Sequence, residues 1–218
     1  MKIQVFEYFE WAALLSCIIL FKKIKSTPFK ILIPYLCFVV LIESGNHFGF
    51  FFLKTHKTNN WIYNIFLFLE YTTFLTLLFK NRYLRREKIF YLILLIGFFL
   101  FHLINLFFIQ KLWKLNTYSI IFISIVMIVS SLVLLFKSLL SNESDFILKN
   151  EYFWLCISLL FFYILETLLY AVFPHFAYSN PIVFIKIFSN ITNVAIISLY
   201  SLLIITLTTL WKFPKTLY

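Results

Sequence analysis

Seven apolar runs, each close to the length needed to cross a bilayer, leave this chain few folds. They cover residues 6–21, 29–53, 61–79, 89–108, 118–139, 153–173 and 182–210. About 20 mostly apolar residues make one membrane span. The second and seventh runs are long enough to tilt or to extend past the hydrocarbon. Composition agrees: 62% of the 218 residues are hydrophobic, 13% are charged and 30 are Phe. A soluble domain is nearer half apolar and a quarter charged. The expected fold is therefore all-α, a polytopic seven-helix transmembrane bundle over residues 1–218. No connection exceeds about 15 residues, which leaves no room for a soluble domain.

The connections set the direction. Lys22, Lys23, Lys25, Lys30, Lys80, Arg82, Arg85, Arg86, Lys88, Lys137, Lys149, Lys212 and Lys215 fall on one side, thirteen in all. Lys2, Lys54, Lys57, Lys111 and Lys114 fall on the other, and Lys186 lies inside the seventh run. The positive-inside rule puts the N-terminus outside and the C-terminus on the cytoplasmic side. Trp11, Trp61 and Trp113 lie at the outer ends, Trp154 and Trp211 at the inner ends, where amphipathic rings are comfortable. Pro28, Pro174, Pro181 and Pro214 are expected to mark turns, and Pro34 to bend the second span.

Several classes drop out. The net charge of +10 is spread in short clusters between apolar runs, so no nucleic-acid partner is expected. Cys17, Cys37 and Cys156 lie within apolar runs with no CxxC, the pattern of buried hydrophobes rather than redox thiols. The N-terminus lacks a cleavage site and reads as a retained span. There is no HExxH, GxSxG or P-loop, and Lys186 is too near a membrane surface to hold retinal. No cofactor is expected, and enzymatic activity is not the leading expectation. Spans 1–3 and 5–7 run in the same directions. LLSCIILFK (14–22) lies over VSSLVLLFK (129–137), and FVVLIES (38–44) over FFYILET (161–167), a pattern compatible with a 3+1+3 duplication.

Of the nine acidic residues, Glu43, Glu70 and Glu166 are mid-span. Each central charge costs ~2.5–3.5 kcal/mol on an insertion scale, so the three must pair, hold a proton or face water. Glu43 lies 13 residues past Lys30, Glu166 13 past Phe153 and His102 13 past Ile89, each ~20 Å along a helix. Glu70 and Asn190 come to a similar depth from the outer side. Helical spacing adds neighbours on the same faces. Asn46 and His47 join Glu43; Tyr63 joins Glu70; Asn105 joins His102; Tyr163 and Tyr170 join Glu166; Asn193 joins Asn190. These residues predict one polar layer, slightly outward of the midplane, open to a small-molecule ligand or a proton. Glu43, His47 and His102 form a weaker metal-ligand expectation. Gly45 and Gly49 make a GxxxG that would admit a close neighbouring helix.

The stretches IESGNHFG, WIYNIFLFLEY, EYFWLCISLLFFYILE and NITNVAIISLY give the chain a likeness along nearly its whole length. It resembles a set of uncharacterised seven-span integral membrane proteins common in Bacteroidetes. That resemblance implies a membrane module working with a cytoplasmic or membrane protein partner, and it supplies no catalytic residue. The expected function is a sensing or accessory module. A proton-coupled transporter, with a titrating Glu and His102 as relay, is the alternative, and an intramembrane metal-dependent hydrolase the second alternative.

Overall fold

A computed structural model describes residues 4–212 except 26, 53, 55–57, 82–83, 141–143 and 180, with backbone alone for 144–146, 172–179 and 181–183. Lys2, Lys57, Arg82, Lys215 and Pro214, which bear on orientation and turns, lie outside the described residues. Among those described, the regular structure is helical throughout: α1 (Val5–Ile19), α2 (Phe21–Ile24), α3 (Leu32–His47), α4 (Asn60–Phe79), α5 (Lys88–Ile104), α6 (Thr117–Leu140), α7 (Glu151–Ser179) and α8 (Pro181–Lys212).

Six stretches are long and apolar enough to cross a membrane: Pro28–His47, Asn60–Phe79, Lys88–Ile109, Thr117–Leu140, Glu151–Ala171 and Phe184–Lys212. The first expected span falls short of that length. Its helix has 15 residues, ~22 Å at 1.5 Å per residue, against a hydrocarbon core of about 30 Å. The helix breaks at Leu20, where ψ turns to 7°, and α2 carries the chain on for one turn.

The outer surface of the helices is oily. Ile89, Phe107, Phe108 and Leu140 are all strongly exposed, as side chains facing lipid tails would be. Small hydroxyl side chains avoid an unmet donor by bonding back along their own helix. Ser16, Thr72, Ser124 and Thr206 each donate to the carbonyl four residues earlier, the usual solution where water is absent.

Helix ends follow local chemistry. At the end of α3, Gly49 takes φ +75°. The Phe50 N–H reaches the Gly45 carbonyl at 2.9 Å and the Gly49 N–H reaches the Asn46 carbonyl at 2.9 Å, the paired bonds of a Schellman cap. The chain then folds back, so that a Cβ on Gly45 would overlap the Phe51 ring. A Cβ on Gly49 would meet open space. The GxxxG expectation is thus corrected. Gly45 makes room for an aromatic of its own returning turn, and Gly49 serves the backbone. Gly45→Ala is expected to cost about 1–3 kcal/mol by overpacking, and Gly49→Ala about 1 kcal/mol through its left-handed backbone. Thermal unfolding in detergent should rank them in that order; equal losses would show that Phe51 does not hold its place.

Prolines behave by position. Pro28 opens a 3-10 turn, Pro28–Ile31, and Pro34 sits in the first turn of α3 just after the winding changes. Pro181 begins α8, where its missing N–H costs nothing. Pro174 is expected at a turn, but α7 runs through it to Ser179. One absent bond does not stop so long a helix.

The chain forms two compact units, Met1–Ser119 and Ile120–Leu217. In the first, α3 packs against both α1 and α4, and α4 against α5. Tyr35 stacks on Phe66 and meets Phe74 edge-on, and Tyr71 lies 4.2 Å from Phe98. In the second, α7 packs along α8. Leu155, Leu159 and Tyr163 are buried on α7, and Leu199, Leu203 and Leu207 on α8, two rows at four-residue spacing suited to close helix packing.

Candidate functional site

The first unit gathers its polar side chains in two separate networks. One is at the C-terminal end of α3. The Schellman cap ends that helix just past His47, and the following turn brings in Asn59 and α4. Trp61 anchors the turn by donating its indole N–H to the Phe51 carbonyl at 2.8 Å. Asn59 Nδ2 donates to Asn46 Oδ1 at 3.2 Å, and Asn46 Nδ2 donates to the Tyr63 hydroxyl at 2.8 Å. Tyr63 donates in turn to Glu43, 3.0 and 3.1 Å from its two oxygens. Each donor polarises the next, and the chain of bonds ends on a carboxylate.

The start of α1 meets the same place. Glu7 accepts the Gln4 N–H at 3.1 Å and lies 3.8 Å from His47 Nδ1. Glu10, only 3% exposed, is close enough to Glu43, Glu7 and Tyr63 to interact with their charges or dipoles. It receives no hydrogen bond from any described residue. Among the described residues, these three carboxyl groups share one hydroxyl, one backbone N–H and one imidazole. On those residues alone the cluster holds more acceptors than donors.

The second network closes the other connection at that end of the unit. After α5 the chain widens into a π turn, Asn105–Ile109, of the kind that carries i→i+5 bonds. The Gln110 N–H reaches the Asn105 carbonyl at 2.9 Å. Asn64, fully buried on α4, donates to the carbonyls of Leu112 (2.8 Å) and Lys114 (2.7 Å) and accepts the Asn116 N–H at 3.2 Å. His102 bridges Ser119 Oγ and the Asn64 carbonyl, both at 2.9 Å. A carbonyl only accepts, so Nε2 carries a proton, while the serine hydroxyl is able to serve Nδ1 as donor or acceptor. Asn105 donates to Ser119 Oγ at 2.8 Å and to Gln110 Oε1 at 3.0 Å. This knot straps residues 110–116 to α4.

The expected single layer therefore divides. Glu43, Asn46, His47 and Tyr63 come together. His102 and Asn105 do not join them: both ring nitrogens of His102 and the amide nitrogen of Asn105 are engaged in the strap. Glu70 is buried on α4, 9% exposed. In the second unit Tyr163 is buried, Glu166, Tyr170 and Asn193 are half-buried, and Asn190 is exposed. Among the described residues, no three His, Cys, Asp or Glu side chains converge as metal ligands would. His47 pairs instead with Glu7, and both nitrogens of His102 are engaged.

Sequence reasoning passes over Glu7 and Glu10. Their spacing, i and i+3 on the first apolar run, is the available signal, but a position near the N-terminus reads as interfacial. Asn64 is also missed, because nothing in the sequence links it to a loop some 50 residues away.

Comparison with protein-family models, with curated proteins and with solved structures gave no match.

Proposed function

We propose that this chain is a seven-span protein of a bacterial inner membrane, with its N-terminus outside, that works as a sensing or accessory module for a partner protein. In this reading α1 and α2 together make the first, broken span. The donor-poor cluster of Glu7, Glu10 and Glu43 carries the proposal. It sits at the end of the first unit that the charge bias directs outward, and Glu43 is coupled to α4 through Tyr63. Helix α4 is a continuous 20-residue rod, ~30 Å long. A change in occupancy at Tyr63 can thus reach the basic turn at Arg85 and Arg86, where a cytoplasmic partner would read it. The likeness to the seven-span family favours the same kind of role. The proton-coupled carrier has less support, since its relay residue His102 is held by Ser119 and Asn64.

The test uses two exposed positions. In spheroplasts, Lys54→Cys is expected to react with an impermeant maleimide, and Arg85→Cys only after permeabilisation. Adding Glu43→Gln should change the labelling rate of Arg85→Cys about fivefold, the lower range of allosteric couplings. Reversed labelling would refute the orientation. An unchanged rate at Arg85→Cys would refute the signalling role.

A further inference from the structure

We propose that the connection between α1 and α3, residues 21–31, is a docking surface for the headgroup of an anionic phospholipid. The inference rests on the membrane-spanning reading of the first unit, and not on the sensing role or the orientation.

The backbone prepares the surface. Helix α1 ends at the break at Leu20, ~8 Å short of a hydrocarbon core's thickness. A short span is met by local thinning of the bilayer and by flanking side chains that snorkel. Both bring lipid phosphates toward the residues that follow the break. Those residues are firmly held. Ile24 and Phe29 are buried and anchor α2 and the 3-10 turn to the core. Between them the Thr27 N–H and the Thr27 hydroxyl both donate to the Ile24 carbonyl at 2.9 Å. The 3-10 turn packs against α2 and α4.

The side chains on this frame are cationic. Lys22, Lys25 and Lys30 are exposed and form no ion pair with any described residue. No acidic residue lies between Glu10 and Glu43 in the sequence. The segment that follows α4 adds Lys80, Arg82, Arg85, Arg86 and Lys88 against Glu87 alone, so it reinforces the positive charge. Basic clusters of this size beside a membrane helix attract anionic headgroups. An acidic protein surface would match the charge as well, but the apolar neighbours favour lipid. Ile18, Ile19 and Phe21 are exposed within about one helical turn of Lys22. A phospholipid carries acyl chains and a phosphate on one molecule and meets both surfaces at once. A soluble acidic partner would leave the apolar side chains bare.

The experiment measures thermal unfolding of the full-length protein in mixed detergent micelles at low ionic strength and fixed total lipid. Phosphatidylglycerol replaces phosphatidylcholine stepwise. The expected result is a Tm that rises with the logarithm of the phosphatidylglycerol fraction, as for a ligand that binds only the folded state. About 0.5 M NaCl should remove most of that rise. Lys25→Gln alone should weaken the lipid effect about fivefold, and Lys22→Gln, Lys25→Gln and Lys30→Gln combined about a hundredfold. Lys54→Gln with Lys114→Gln, exposed at the opposite end of the unit, should leave it intact. The proposal is overturned if the two lipids act alike, or if the combined variant responds as the wild type does. The single variant tests the location should the combined one fail to fold. Two further results would also overturn it. An equal rise with glycerophosphoglycerol, the headgroup without acyl chains, would make this a site for a free phosphodiester. An equal rise with hexaglutamate would assign it to an acidic protein. None of these measurements involves Arg85→Cys, so the lipid site and the signalling role fall separately.

Discussion

Asn64→Ala is expected to destabilise the protein by about 3–4 kcal/mol, a loss at the upper end for a single substitution. The side chain is fully buried and makes three bonds to main-chain groups of the strap, at Leu112, Lys114 and Asn116. Truncation leaves two carbonyls and one N–H without their partner. Each unmet group costs about 1–3 kcal/mol when water cannot reach it, and partial relaxation of the strap recovers some of the sum. Asn60→Ala is the internal control. That side chain makes one long bond, 3.4 Å to the Trp113 carbonyl, and should cost less than about 1 kcal/mol. Denaturant-induced unfolding in mixed micelles measures both, and limited proteolysis between residues 110 and 116 reports whether the strap has opened. If the two variants unfold alike, Asn64 does not fasten the strap.

The second large effect is expected at Tyr63. Tyr63→Phe keeps the ring and removes the hydroxyl that serves Glu43 and receives Asn46. It should cost about 2 kcal/mol, because the bond lost is to a carboxyl group in a site with few other donors. Glu43→Gln should be milder, below about 1 kcal/mol, since the amide oxygen still accepts from Tyr63. The double variant should be less destabilised than the two single losses added, by about 1 kcal/mol, as for directly contacting residues. Strict additivity would mean that the Tyr63–Glu43 bond is not formed in the membrane protein. This cycle also bears on the proposed function, because Tyr63 is the contact through which the cluster acts on α4.

The helical class of the fold was legible in the sequence because the signal is local and repeated. A run of about 20 apolar residues becomes a helix whatever its neighbours do, since backbone polar groups in hydrocarbon must be met within the segment. That logic located the helices at Asn60–Phe79 and Thr117–Leu140 within a few residues. It overreached for the first run, where length alone does not reveal the break at Leu20. Glu43, Asn46 and His47 were correctly placed on one face because spacing within a helix is fixed at about 3.6 residues per turn. The same rule paired His102 with Asn105 but could not say what that face would meet.

The sequence by itself determined the helices, their apolar surfaces and the side chains that share a face, all consequences of backbone geometry within one segment. Only the tertiary structure decided which polar group answers which. Glu43 and His102 look alike along the chain, each a polar group 13 or 14 residues into an apolar run. Packing gave Glu43 the hydroxyl of Tyr63 and the company of Glu7 and Glu10. It gave His102 a serine and a backbone carbonyl. The difference lies in how each helix is rotated about its axis against its neighbours, and many weak contacts summed over the whole interface set that rotation.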